Sequence, residues 1–150
     1  NDPSEVEIFD KAPEILDHLS DNGFLILGVT NQGGIAYGHM TVEEYEEIKQ
    51  EIKNRLPQFD RIMYCPFHQY GNTAPFDKRS LMRKPNYGMI AAHEMYYLEQ
   101  GIKIDLDRSI MIGDRDDDRK TAEYADISFQ EASNFFSHRG EELRAKETNQ

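Results

Sequence analysis

Apolar residues recur along the chain in two alternating patterns, one at helical spacing and one in short continuous runs. Over residues 13–22, Ile15, Leu16 and Leu19 share one stripe and Asn22-Gly23 supplies a left-handed stop, which predicts a helix. Phe24-Leu25-Ile26-Leu27-Gly28-Val29-Thr30 follows as an unbroken run, the pattern of a strand covered on both faces in a parallel sheet. Thr41 and Glu44 form a capping box, and Val42, Tyr45, Ile48, Ile52 and Leu56 then repeat at helical spacing up to Pro57. Arg61–Cys65 predicts a second strand, whereas Pro66 to Lys84 has no helical period and carries Gly, Asn, Pro and Ser, the composition of a long functional loop. A helix is expected over 87–100, with Met89, Ile90, His93, Met95, Tyr96 and Tyr97 available to pack and Gly101 closing it. Ser109–Gly113 predicts a third buried strand, with Asp114-Arg115-Asp116-Asp117-Asp118 at its carboxyl end. A helix around 118–125, a short strand at 127–129 and a small helix near 131–136 complete the order.

Helices alternating with buried-type strands predict an α/β fold, a Rossmann-like doubly wound parallel sheet, in which ligands bind at the carboxyl ends of the strands. Residues 1–136 are expected to form one domain and 137–150 a polar tail. A length of 150 residues, 38% hydrophobic and 30% charged, suits one such domain. No run approaches a membrane span and the start lacks the features of a signal peptide, so a cytoplasmic setting without membrane contact is the expectation. Seventeen Lys and Arg against 28 Asp and Glu give a net charge of -11, which disfavours non-specific nucleic-acid binding. A single cysteine, Cys65, offers neither a disulfide nor a thiolate cluster.

Three polar clusters fall where such a sheet would present them. Thr30-Asn31-Gln32-Gly33-Gly34 follows directly on a buried strand, so the Thr30 hydroxyl and the amides of a glycine-rich turn can converge on an anion. The spacing is neither G-x-G-x-x-G nor a P-loop, which removes the dinucleotide and nucleoside-triphosphate readings. Arg83-Lys84-Pro85 closes the long loop just before a helix, where a lysine can neutralise a phosphoryl group. Asp114 and Asp118, four apart after a buried strand, offer two hard oxygen ligands of the kind magnesium takes. An EF-hand fails on spacing, because Arg119 and Ala125 stand where Gly and Glu are needed. No G-x-S-x-G elbow occurs, and the five histidines are scattered, with His93 inside a helix as a packing residue.

In order, Val29-Thr30-Asn31-Gln32, Arg83-Lys84-Pro85 with Gly88-Met89, and Gly113-Asp114-Arg115-Asp116-Asp117-Asp118 resemble motifs two, three and four of the haloacid dehalogenase (HAD) superfamily. The likeness spans nearly the whole chain and is greatest to the small phosphatases without a large cap domain, those for histidinol phosphate, heptose bisphosphate and polynucleotide 3′-ends. Ala125-Asp126-Ile127-Ser128-Phe129 to Phe135-Phe136 is also similar to that group. The resemblance implies that Thr30 hydrogen-bonds the transferring phosphoryl group and that Lys84 neutralises it. It implies that Asp114 holds Mg²⁺ with Asp118 in support, that the backbone from Asn31 through Gln32 and Gly33 binds phosphate oxygens, and that Arg83 and Arg115 orient the substrate.

Two departures stand beside the matches. The superfamily's first motif, D-x-D-G-T, which supplies an aspartyl nucleophile, has no counterpart here. Asp10-Lys11-Ala12 lacks the second aspartate, and Glu7-Ile8-Phe9 resembles the segment that follows motif one, so the chain is expected to begin downstream of it. The zinc ligands of several relatives are replaced too: Cys65-Pro66-Phe67-His68 and Ser80-Leu81-Met82 occupy their positions, only Cys65 matches, and no zinc site is expected. The leading expectation is a magnesium-dependent phosphatase of a small phosphomonoester that works through an aspartyl-phosphate intermediate. The alternatives are a non-catalytic phosphate-binding module and a polynucleotide 3′-phosphatase, the latter disfavoured by the acidic balance. Oligomeric state is not readable.

Overall fold

Pro13 and Glu14 in the first turn of α1 (Ala12–Asp21) suit a helix start, since proline needs no amide partner there and an acid favours the positive end of the helix dipole. In the computed structural model, which describes residues 10–139, α1 buries Ala12, Ile15 and Leu16. Gly23 closes it at φ +86°, a conformation that glycine adopts without steric cost. Strand β1 (Leu27–Asn31) begins three residues later than the apolar run suggests. The Ile26 amide donates to Asp60 Oδ2 and the Asp60 amide donates back to the Ile26 carbonyl, both at 2.8 Å, while Phe24 and Leu25 lie exposed. This polar clasp takes the backbone groups of Ile26 that a longer ladder would have used.

Helix α2 (Val42–Arg55) starts where expected, with Thr41 Oγ1 accepting from the Glu44 amide at 3.1 Å, and it returns the chain to β2 (Arg61–Cys65), which pairs in parallel with β1 from Leu27↔Arg61 to Asn31↔Cys65. The long loop then leads to α3 (Gly88–Leu98), which packs on β1 and β2 and buries Met89, His93 and Tyr97. Met95 and Tyr96, expected to be available for packing, lie on its exposed side.

A 3-10 turn at Leu106–Arg108 feeds β3 (Ile110–Gly113), and α4 (Asp116–Ala125) carries the chain to β4 (Ser128–Glu131), parallel to β3. Helix α4 starts two residues before the expected 118. Three aspartates in its first turn, which look like a loop in one dimension, favour a helix amino end. Strand β4 starts one residue later than expected because the Ile127 amide is held by the Ala122 carbonyl at the helix exit. Helix α5 (Ala132–Asn134) runs into a π-helical turn over Phe135–Arg139, so regular backbone continues past Phe136 into the segment read as a tail. Residues 140–150 lie outside the described residues, as does Glu7-Ile8-Phe9.

The fold is α/β and Rossmann-like, with every described strand pair parallel. One continuous sheet was expected, and the described strands form two ladders instead, β1–β2 and β3–β4. Each ladder has one edge per strand without a hydrogen-bonded neighbour among the described residues, and β1 and β2 are accordingly half-buried up to Cys65 rather than covered on both faces. A core of Ala12, Leu16, Ile26 and Leu56, with Leu19, Phe59 and Phe136 packed against it, ties α1, the lead into β1, the end of α2 and the C-terminal turn together. Among the described residues no helix is long and apolar enough to cross a membrane.

Candidate active site

The carboxyl end of β1 is joined to the end of the long loop by one side chain. Asn31 Nδ2 donates to the Lys84 carbonyl at 3.1 Å and Asn31 Oδ1 accepts from the Lys84 amide at 2.9 Å. Lys84 Nζ is thereby delivered to Asp118 Oδ1, with which it forms an ion pair whose side chains are only 11% and 7% exposed. The other carboxylate oxygen, Asp118 Oδ2, accepts from the amides of Asp114 and Arg115 at 3.3 and 3.2 Å. A charge this buried is stable only when paired and hydrogen-bonded, and Asp118 meets both conditions. Gly113 makes the arrangement possible, because a Cβ there would lie 2.6 Å from Asp118 Cβ.

Thr30 is held from the next residue but one: Gln32 Nε2 donates to Thr30 Oγ1 at 3.0 Å. With that lone pair occupied, the Thr30 hydroxyl is left to donate, and its remaining contact with the Asn31 carbonyl is long, at 3.5 Å. The Gln32 amide extends the ladder to the Cys65 carbonyl at 2.8 Å, so the Asn31 and Gln32 side chains and the Gln32 backbone are all committed to holding structure. The Gly33 and Gly34 amides donate to no described residue and are the donors of this turn that remain for an anion.

Arg83 lies over Gly33, its Nη1 3.1 Å from where a Cβ would stand, and donates weakly to the Phe67 carbonyl at 3.4 Å. Asp114 and Arg115 are exposed at the end of β3 and line a cleft of about 220 Å³ together with Arg119, Phe129 and Glu131. The Arg119 guanidinium stacks over Phe129 at 4.7 Å. A larger cleft of about 550 Å³, lined by Glu94, Lys103 and Asp105, opens between α3 and the segment that leads through the 3-10 turn into β3. It contains none of the groups described above.

The long loop is ordered by packing and hydrogen bonds. The Asn72 and Thr73 amides donate to the Ala36 carbonyl at 2.8 and 3.0 Å, Phe67 packs on Phe76 at 5.9 Å, and the Gly88 amide closes on the Leu81 carbonyl at 3.1 Å. Cys65 is fully buried and its thiol points to the Phe67 carbonyl. His68 sits among Tyr37, Tyr70 and Arg83, a placement that the Cys65-to-His68 spacing did not disclose. His93, expected to pack, does so: its Nε2 contacts the Gly28 carbonyl at 2.8 Å and its Nδ1 the Arg61 guanidinium at 3.2 Å. Burial, and secondarily the Arg61 charge, push the His93 pKa down against the opposing pull of the Gly28 hydrogen bond.

A magnesium ion keeps several waters and takes one or two protein carboxylates together with substrate phosphate oxygens, so a free carboxylate is one ligand of the kind it needs. Asp114 offers it. Its carboxylate accepts no hydrogen bond from a described residue, whereas both Asp118 oxygens are engaged. Among the described residues no group of three or more His, Cys, Asp or Glu side chains converges on one point.

Residues 2–139 match the family model of the polynucleotide kinase 3 phosphatases. The chain is 31% identical over 125 residues to the D-glycero-β-D-manno-heptose-1,7-bisphosphate 7-phosphatase of Escherichia coli K12, a match covering 81% of this chain and 63% of that protein. Its fold is similar to a structure solved as a HAD-like phosphatase of Mesorhizobium loti, with a TM-score of 0.71 and 25% identity over 84% of this chain and 60% of that one. It is also similar to the D,D-heptose 1,7-bisphosphate phosphatase of B. bronchiseptica, solved in complex with magnesium and phosphate, at a TM-score of 0.68 and 23% identity over 85% and 67% of the two chains. The chain thus spans somewhat under two thirds of the length of the E. coli relative.

Proposed function

The chain belongs to the polynucleotide kinase 3 phosphatase family, within the HAD superfamily, and from that premise we propose that the whole protein is a magnesium-dependent phosphomonoesterase of a small sugar phosphate. The observation that carries the reading is the linked set Asn31, Lys84 and Asp118, which fixes a buried cation on a residue braced to Asn31, the neighbour of Thr30 in β1. Such a set does what phosphoryl transfer asks of a protein: it positions the group and neutralises its charge in place. Thr30 donates to a phosphoryl oxygen, the Gly33 and Gly34 amides bind others, and Lys84 supplies positive charge without having to be reoriented. Asp114 would hold the metal, whose contribution when bound is to neutralise charge on the phosphoryl oxygens. Asp118 positions Lys84 and does not ligate. Arg83 and Arg115 orient the substrate.

The nucleophile in this reading is an aspartate of the D-x-D-G-T type, for which the described residues offer no candidate. The sugar phosphate is preferred to a polynucleotide end because the relative of E. coli acts on a heptose bisphosphate and because a net charge of -11 repels a polyanion. Calorimetric titration of the 150-residue chain with Mg²⁺ and tungstate, run beside a p-nitrophenyl phosphate assay, tests the reading. Binding without turnover supports a pocket whose nucleophile lies elsewhere, and turnover supports a nucleophile within the chain. Absence of both overturns the reading.

A further inference from the structure

Beside Gly33 stand two further donors, the Arg83 guanidinium, whose Nη1 reaches the Phe67 carbonyl only at 3.4 Å, and the His68 ring. His68 Nδ1 receives the Tyr70 backbone N–H at 3.1 Å, and the Tyr37 hydroxyl stands 3.3 Å from the same nitrogen. A backbone N–H can only donate, so Nδ1 is the unprotonated nitrogen and the proton of the neutral ring is on Nε2. The ring packs against Tyr37 at 5.0 Å and Tyr70 at 5.8 Å between centroids. Its Cδ2, the carbon bonded to Nε2, lies 3.5 Å from the position of a Cβ on Gly33, and Arg83 Nη1 lies 3.1 Å from the same position. Nε2 donates to no described residue. Burial and the neighbouring Arg83 charge both lower the His68 pKa, which keeps the ring neutral and the tautomer defined near pH 7.

A guanidinium and a fixed N–H side by side, with glycine leaving the space open, select an anionic oxygen. We propose that His68 is a specificity-determining residue of the site, donating from Nε2 to a second anionic group of the substrate, a phosphate or carboxylate that is bound beside Arg83 and is not transferred. The assignment rests on the reading of the Thr30 to Gly34 turn as the phosphoryl site.

The test compares two probes on the full chain, inorganic phosphate and fructose 1,6-bisphosphate, for wild type, His68→Ala and His68→Gln. Loss of one hydrogen bond to a charged group predicts an affinity for the bisphosphate about tenfold weaker in His68→Ala. Inorganic phosphate binding should be unchanged, and His68→Gln, which keeps an N–H donor, should recover most of the loss. Equal weakening of both probes would assign His68 a structural role and overturn the proposal, as would no change with either. Wild type that binds phosphate but binds the bisphosphate no tighter leaves the phosphoryl site standing and removes the second one. Wild type that binds neither removes both. The nitrogen-15 shifts of His68 give an independent check: protonation at Nε2 alone is expected at pH 7.5, and a proton on Nδ1 overturns the assignment.

Discussion

Asn31 and Lys84 grip each other by two hydrogen bonds across 53 residues of sequence, the side-chain amide of one against the backbone N–H and carbonyl of the other. The contact joins the end of β1 to the last residue of the long loop, so the lysine that faces Asp118 is aimed from a strand it does not belong to. Asn31→Ala leaves both Lys84 backbone groups without partners, at a cost of about 1–3 kcal/mol for each unsatisfied group that stays buried. Chemical denaturation should therefore show a loss of stability, and tungstate affinity should fall with it. A variant of wild-type stability and affinity would remove the brace from the site.

The Lys84–Asp118 pair should behave as a buried pair and not as a surface one, given side chains 11% and 7% exposed. Asp118→Asn retains an oxygen for the Asp114 and Arg115 amides but leaves the ammonium without its counter-charge. Breaking one partner of such a pair costs about 3–5 kcal/mol, whereas surface pairs are worth about 1 kcal/mol or less. Urea titration decides between the two. Lys84→Met made together with Asp118→Asn should be the milder change, because the double variant buries no charge and keeps an oxygen for the two amides. A double variant less stable than Asp118→Asn alone would contradict this account.

The order of elements and the strands at Arg61–Cys65 and Ile110–Gly113 were legible because continuous apolar runs between helical stripes admit few other readings. Thr30, Lys84 and Asp114 were legible as candidates only as three short motifs in order. What one dimension could not show is who holds whom. Asn31 and Gln32, whose backbone was expected at the phosphate oxygens, use their side chains on Lys84 and Thr30, and Asp118, expected beside the metal, is held by Lys84 and two amides. These partnerships depend on long-range approach, which no local periodicity encodes. His68 was missed for the same reason, since its environment is assembled from Tyr37, Tyr70 and Arg83.

Acid should weaken the fold through His93. Its folded pKa is lowered chiefly by burial, and an unfolded histidine titrates near 6.5, so the unfolded chain binds the proton first as pH falls. The stabilisation is therefore present above about pH 6.5 and is lost progressively below it, toward the folded pKa. A proton added at Nδ1 would also face the Arg61 guanidinium, 3.2 Å away. His68, lowered in the same direction, adds to the trend, so the comparison must be made within one variant series. Urea midpoints measured from pH 5 to 8 should rise with pH, and His93→Gln should flatten part of the rise. A wild-type profile that falls with pH over that window would contradict a buried neutral histidine.

Asp114 offers the cleanest separation of metal binding from folding. It is exposed and its carboxylate accepts no hydrogen bond from a described residue, so Asp114→Asn removes a charge and little else. Surface substitutions without partners change stability by about 0.5 kcal/mol or less, and the thermal midpoint should hardly move. Its amide still donates to Asp118 Oδ2, because that contact belongs to the backbone. If Asp114 is the carboxylate that holds magnesium, calorimetric titration of the variant should show no Mg²⁺ heat, while tungstate binding in the absence of metal persists through Thr30, Lys84 and the glycine amides. Removing Thr30 instead, as Thr30→Val, should weaken tungstate and spare Mg²⁺. The two variants thus lose different ligands, and a result in which Asp114→Asn titrates magnesium like wild type would move the metal away from the end of β3.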